Sequence, residues 1–275
     1  MSVTRHDLAV VEQLVRAVAR SEIMPRFRNL GAGDIVQKSG PMDLVTVADE
    51  AAEQRLTVGL HRLFPGCAVI GEEGATRDMA LLNQVAIAPL CFVLDPIDGT
   101  YNFASGLPLF GVIVAVIAYG RTVGAIIHDP VADDTAMALA GQGAWMERPD
   151  GSRTTLRVAA PAAPANMSGT ISWRFMPEPR RSLVCSRLPR AGSSWDYRCA
   201  AHQYRLMAAG YCHYAVYNRL LPWDHAAGVL LHAEAGGYAA MLDGNPYDPA
   251  IMDGGMICAP DAQSWAALRT ALFEE

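Results

Sequence analysis

The stretch Leu94–Phe103, LDPIDGTYNF, sets two aspartates three positions apart around a proline and follows them with a glycine and a threonine. These are the residues of a tight turn, since Pro96 fixes one backbone angle and Gly99 permits a sharp bend. On that reading Asp95 and Asp98 are solvated loop acids. The competing reading is that the bend folds the chain back and aims both carboxylates inward. The rest of the chain has to choose.

Working outward, the apolar runs CAVIG (67–71) and LCFVL (90–94) have strand length, and each delivers acids at its end. Glu72 and Glu73 follow the first, Asp95 and Asp98 the second, while Asp49 sits in VAD and Asp224 in PWDHAAG. Carboxylates gathered at strand ends raise one another's pKa unless something positive lies among them. Magnesium, with its demand for hard oxygen ligands, suits such a set. The amides of Gly99 and Thr100 are placed to open a helix whose positive end favours a phosphate. Two or more magnesium ions about 3.5–4 Å apart with a phosphate across them support in-line transfer to water, with no Ser or Cys nucleophile. Each segment alone has an ordinary reading: DPIDG a solvated turn, GEEG a charged loop, WDHAAG an N-cap aspartate with His225 exposed beside it. Their joint occurrence, order and spacing favour a metal site.

Bulk properties narrow the class. The chain has 275 residues, 51% of them hydrophobic, which is ample for a folded core. Only 18% are charged and the net charge is −6, which argues against a surface built for nucleic acid or anionic lipid. The six cysteines are scattered singly without zinc-type spacing, as expected of buried thiols in a reducing compartment. The N-terminal segment lacks a signal-peptide pattern, and the longest apolar run, LPLFGVIVAVIAY, falls short of the ~20 residues of a membrane span. The expectation is a cytoplasmic protein that does not engage a membrane.

Helical periodicity appears over roughly residues 6–28 and 48–63, separated by a Gly-containing loop. From Leu107 to about Glu147, β-rich runs alternate with Gly, Asp and Pro turns, as in an antiparallel meander. The second half alternates: a strand near SLVCS, a helix over CAAHQYRLMAAG, a strand at CHYAVYN, a helix over WDHAAGVLLHAEAGG, strands at YAAML and MICA, and a closing helix over DAQSWAALRTALF. A layered α/β (α+β) architecture is expected. Its halves are 1–150, carrying most candidate ligands, and 151–275, contributing Asp224, with a junction near residues 150–180 inside one compact unit.

The set KSGPMDLVTVAD, GEEG, LDPIDGTYNF and PWDHAAG…EAGG resembles the inositol monophosphatase family of magnesium-dependent, lithium-sensitive phosphatases, over about residues 8–270. The resemblance implies an α-β-α-β-α sandwich of the inositol monophosphatase and fructose-1,6-bisphosphatase type, a homodimer, and two to three magnesium ions per site. The residues matching the ligands are Glu72, Asp95, the Ile97 carbonyl, Asp98 and Asp224. Glu72 and Asp95 would hold one ion; Asp95, Asp98 and Asp224 would share a second; a looser third near Glu72 would bring the attacking water. Asp49 and Thr100, with Glu72, would orient and deprotonate that water, and Lys38 matches a lysine of a mobile loop. Glu73 reads as a neighbour rather than a ligand.

Two departures bear on substrate. Inositol-specific members carry a glutamate seven residues before the tryptophan-motif aspartate, where this chain has Tyr217. Where many relatives open the substrate-facing helix with Gly-Ser or Gly-Thr, this chain has Arg198, which would either contact a second anionic group of the substrate or point away from it. The segment RFMPEPRRSLVCSRLPR is locally basic and reads first as a solvated loop. The implied activity is hydrolysis of a small polyol, sugar or amino-alcohol phosphate. Histidinol phosphate, fructose bisphosphate or a 3′-phosphonucleotide are alternative substrates, and a regulatory protein contacting RNA or the transcription machinery is the alternative of another class.

Overall fold

The computed structural model describes residues 3–274. Helix α1 (Arg5–Val18) opens on a capping box between Thr4 and Asp7 and runs on through a wide turn at Ala19–Ile23. The segment expected as a loop instead contains a hairpin, β1 (Ile35–Gly40) and β2 (Asp43–Thr46), antiparallel and feeding directly into α2 (Val47–Leu63). Strand β3 (Ala68–Gly71), short helices α3 (Glu72–Arg77) and α4 (Asn83–Ile87), strand β4 (Cys91–Asp98) and the one-turn helix α5 (Thr100–Ala104) follow. The meander is as expected: β5 (Gly111–Ala118), β6 (Arg121–Asp129), β7 (Asp134–Leu139), β8 (Ala144–Glu147) and β9 (Arg153–Thr155) continue one sheet of order β3-β4-β5-β6-β7-β8-β9. Only the β3–β4 pair is parallel; the other neighbours are antiparallel.

The second half brings β10 (Ser168–Ile171), α6 (Arg180–Arg187), β11 (Ser193–Trp195), α7 (Ala200–Ala208), β12 (Tyr214–Tyr217), α8 (Pro222–Glu234), β13 (Tyr238–Met241), β14 (Met256–Ala259) and α9 (Ala262–Phe273). Its five strands lie in the order β11-β10-β12-β14-β13. The strand expected near SLVCS is a correction, since those residues form α6 and the strand lies upstream at β10. Val184 alone of that segment is deeply buried, so one turn-spaced contact, not a two-residue alternation, decided its state.

Alternation along the strands separates the layers. In the large sheet, Phe92, Leu94, Val112, Val114 and Val116 pack under α1 and α2 beside Leu8, Val15 and Leu56. The opposite parity, Val93, Ile113, Ala115 and Ile127, meets Tyr204 and Met207 of α7 and Trp223, Ala227 and Leu231 of α8. Those two helices are covered in turn by Ala215, Tyr217, Met256 and Cys258 of the small sheet, whose far face (Tyr214, Val216, Ile257) packs on α6 and α9. The order is α-β-α-β-α, as the sequence resemblance implied. Truncating a fully buried ring such as Phe92 or Tyr204 in these layers is expected to cost about 3–5 kcal/mol. No helix among the described residues is long and apolar enough to cross a membrane.

Candidate active site

Strand β4 carries the site, and one backbone irregularity makes it. Asp95 pairs opposite Ile113 but Asp98 opposite Gly111, so three steps on β4 span two on β5: a bulge with one extra residue. In a regular strand residues three apart face opposite sides of the sheet. The bulge restores a common face, placing both carboxylates toward α7 and α8 while Ile97 drops into the core under α1 and α2. The turn expected from DPID is therefore an irregular strand end, with Pro96 where no ladder donor is required.

Asp98 is fixed from the second half of the chain. Its Oδ2 accepts from the Ala201 amide, in the first turn of α7, and from the Cys199 thiol at 3.2 Å. Its other oxygen has no hydrogen bond among the described residues. Asp224, third residue of α8, joins it: one carboxylate oxygen from each of Asp95, Asp98 and Asp224 lies within 4.8 Å of the others. Asp224 is thus inside the helix and not its N-cap, and His225 beside it is buried, bonded to the Tyr204 hydroxyl at 3.0 Å and the Arg219 carbonyl at 2.9 Å. The reading of His225 as exposed is corrected.

Gly99 ends the strand with φ 88°, a left-handed conformation, and a Cβ there would lie 2.9 Å from the Leu109 carbonyl. Only glycine satisfies both conditions. It presents Thr100 at the start of α5, where the hydroxyl lies 3.2 Å from Asp49 Oδ1 and 3.0 Å from the Ile97 carbonyl. Asp49 is held by its own helix, since its Oδ2 accepts from the Thr46 amide and hydroxyl at 2.8 and 2.5 Å, the capping box of α2. Helix capping thereby aims the other oxygen at Thr100.

Glu72 opens α3 directly after β3, and a residue the sequence reading missed sets its position. Both oxygens of Glu53 accept from amides of the first turn of α3, Glu73 N and Gly74 N, each at 2.8 Å. Gly71 is needed for this approach, because a Cβ there would lie 2.2 Å from the Glu53 carboxylate. A Gly before an acidic pair, with a buried-face Glu on the preceding helix, was the available signal. Lys38 is on strand β1, not a loop, and its Nζ lies 2.9 Å from both Glu72 and Glu73. Glu72 and Glu73 both lie outside the aspartate trio, and among the described residues Lys38 is the ion-pair partner of each.

The electrostatics are those of uncompensated acids. Burial first, then Glu73 and Glu72, push Asp49 up to about 7, against the hydrogen bonds from Thr46. Burial and Glu72 push Glu73 up to about 7 despite Lys38. Burial raises Asp98 to about 6, and burial with the neighbouring carboxylates holds Asp95 and Asp224 well above the ordinary range. Burial alone would lower the Lys38 ammonium, but Glu72 and Glu73 outweigh it and hold it above its usual value. Such a set is stable as an ionised cluster only around a cation, and its all-oxygen donors fit magnesium.

Glu72, Asp95, Asp98, Thr100 and Asp224 line one cavity of 510 Å³ between the halves. Arg198 and Tyr217 line it too. The guanidinium of Arg198 stacks over the Tyr101 ring at 3.7 Å, a contact the sequence did not announce. Tyr217 stacks on Tyr204 and keeps a buried hydroxyl without a partner among the described residues. The basic segment is not simply a solvated loop: Arg180–Arg187 form α6, Arg187 is buried, and Arg174 reaches the cavity wall.

Comparison with known proteins gives one family. The sequence model of the inositol monophosphatase family matches residues 4–275. The chain is 31% identical over 216 residues to the inositol-1-monophosphatase of Bacillus subtilis, 78% of each chain. It is 30% identical over 258 residues to Nus factor SuhB of Pseudomonas aeruginosa, 90% of this chain and 89% of that one. Among solved structures, staphylococcal SaIMPase-II with 2′AMP bound superposes with a TM-score of 0.77 at 21% identity, covering 98% of this chain and 95% of that one. The same protein has been solved with inositol monophosphate bound, with a TM-score of 0.75 at 21% identity over 96% of this chain and 91% of that one.

Proposed function

The chain belongs to the inositol monophosphatase family, and from that premise we propose that it is a magnesium-dependent phosphomonoesterase acting on a small polyol, sugar or amino-alcohol phosphate. The observation that carries this reading is the convergence of Asp95, Asp98 and Asp224 within 4.8 Å on one bulged strand end and one helix, with Asp49 and Thr100 at its edge.

Glu72, Asp95, Asp98, Asp224 and the Ile97 carbonyl would hold two to three magnesium ions. Bound there, magnesium supplies Lewis-acid polarisation of the phosphoryl oxygens and makes water more acidic. The rest is work for the chain's own side chains. Thr100 donates its one proton to Asp49 or to the Ile97 carbonyl and keeps its lone pairs for a proton of the attacking water. Asp49, whose carboxylate burial disfavours, would take up a proton of that water through the hydroxyl. Glu72 lies on the same wall and is steadied by Lys38. The Gly99 and Thr100 amides are the candidate phosphate cradle, and Asp224 and Tyr217, on the wall of the same cavity, are candidate substrate contacts.

Phosphate release from a panel of phosphomonoesters, with magnesium, without it and with lithium, tests the reading. Magnesium-dependent release inhibited by lithium supports it. If well-folded protein with magnesium releases phosphate from none, the catalytic reading fails. The likeness to Nus factor SuhB favours a second reading, a regulatory contact with the transcription machinery, which would show as RNA or polymerase binding that survives Asp98→Asn. We also propose the family's homodimer, checked by light scattering, and a cytoplasmic setting, which the six unpaired thiols favour.

A further inference from the structure

Arg198 occupies a costly position. Its φ is 54°, in the left-handed region where non-glycine residues are strained, and such strain concentrates at functional sites. The backbone is held there by its own amide donating to Asp196 Oδ1 at 2.7 Å. The guanidinium carbon lies over the Tyr101 ring, 3.7 Å from its centroid, a cation–π contact. One of its nitrogens, Nη2, is shielded from water and has no hydrogen-bond partner among the described residues. A buried donor of a charged group left unpaired is expensive unless a ligand supplies the acceptor.

The surroundings add charge of the same sign. Arg174 and Arg219 line the same cavity, and Arg219 lies over Phe175 at 5.4 Å. Among the described residues none of the three arginines has a carboxylate within ion-pair distance. The acids nearby are otherwise engaged: Asp196 accepts from Arg198 N and Gln203, Asp43 accepts from Ser39, and Asp95, Asp98 and Asp224 form the cation cluster, with Asp224 also feeling Arg219. Arg198 and Arg174 are thus left to meet an anion from outside the protein, with Arg219, whose charge also acts on Asp224, on the same cavity wall.

We propose that the substrate carries a second anionic group besides the phosphate that is cleaved, and that Arg198, stacked on Tyr101 and reinforced by Arg174 and Arg219, binds it. This deepens the phosphomonoesterase reading and rests on it. The second group is a phosphate or a carboxylate, both of which match the guanidinium fork. Arg198 is then a residue that sets specificity, taking over a discrimination that Tyr217, with no charge, does not make.

Two probe pairs differ only in that group: 2-phosphoglycerate against glycerol 2-phosphate, and fructose 1,6-bisphosphate against fructose 1-phosphate. Binding is measured by calorimetry with calcium replacing magnesium, so that affinity is read without turnover. The charged member of at least one pair is expected to bind tenfold or more tighter, and which pair does so separates carboxylate from phosphate. Arg198→Gly is the informative variant, because glycine adopts φ near 54° more readily than arginine and the fold is retained. In it the ratio should collapse to within about twofold, with Arg198→Gln doing the same. The proposal is overturned if neither charged probe outbinds its neutral counterpart in the wild type, or if the ratio survives both variants. Phosphate release with magnesium is followed separately on the same probes. A ratio that depends on Arg198 together with no release from any probe retains the anion site and overturns the phosphatase reading.

Discussion

Two clusters of acids lie at the same end of the large sheet, one at the β6–β7 turn and one at the end of β4, and they are built on opposite principles. At the β6–β7 turn, Glu12 and Asp133 are met by Arg16 at 2.5 and 2.7 Å, Asp133 again by Arg20 at 2.5 Å, and Asp134 by Arg205. The His128 ring sits among them, bonded to Thr135 at 2.9 Å. Asp133 is consequently held below the ordinary carboxylate range: its slight burial works upward, and the hydrogen bond and charge of Arg20 with the charge of Arg16 outweigh it. At the end of β4, six acids (Asp49, Glu72, Glu73, Asp95, Asp98 and Asp224) have one ion-pair partner among the described residues, Lys38, which meets Glu72 and Glu73, while Arg219 acts on Asp224 from beyond ion-pair distance. Matched acids tie α1 and α7 to a hairpin. Unmatched acids lower stability for the bare protein and are retained where a ligand completes them.

The sharpest break would come from Asp95→Asn. Phosphate release is expected to fall by about 10³-fold or more, since this carboxylate belongs to the cation cluster. In chelator the melting temperature should stay level or rise, because a like charge is removed and the amide oxygen can still accept from Ile97 N. A drop of several degrees would show that the cluster is structural after all. Thr100→Val should lower kcat by about 10²-fold with little change in KM, read from steady-state kinetics, if its hydroxyl orients the water.

The matched cluster predicts the reverse. Arg16→Ala leaves Glu12 and Asp133 short of a partner and is expected to cost about 2 kcal/mol, a fall in melting temperature on the order of 5 °C, with kcat/KM within about twofold of the wild type. A large kinetic effect would erase the distinction between the two regions.

Next in size is a pH effect. Asp49 and Glu73, pushed up to about 7 from 3.8 and 4.5, contribute stability at low pH that is lost as pH rises through 7 in the absence of a cation. His128, His225 and His232, pushed down by burial from 6.5 to about 4, act the other way and lose their contribution as pH falls through that window. The histidines are common to both metal states, so the melting-temperature gain from magnesium isolates the acids. It should be larger at pH 8 than at pH 5.5; an equal gain at both would contradict the assignment. Smallest is Lys38→Met, which should tighten magnesium binding about threefold by freeing Glu72 from its ammonium, measured by titration calorimetry.

The sequence alone determined the residue types and the order of the elements. Strand-length runs ending in acids and the Gly99-Thr100 pair are local, and their patterns survive without a fold. The amphipathic helices and the meander were legible for the same reason. What failed was where tertiary context overrode the local pattern: SLVCS became helix because its one apolar anchor, Val184, packs with α9, and the stretch before α2 became a hairpin that delivers Lys38.

Only the tertiary structure decided that Asp95 and Asp98 share a face, because a bulge is a mismatch of register between two strands and is written in neither one alone. It also decided that Asp98 is braced by Cys199 and α7, that Glu53 reaches through the space left by Gly71, and that Arg198 lies on Tyr101 with an unpaired nitrogen. The contacts of Asp98 with Cys199 and of Arg198 with Tyr101 join opposite halves of the chain, and their physical cause, the exclusion of water from the seam between them, exists only once both halves have packed.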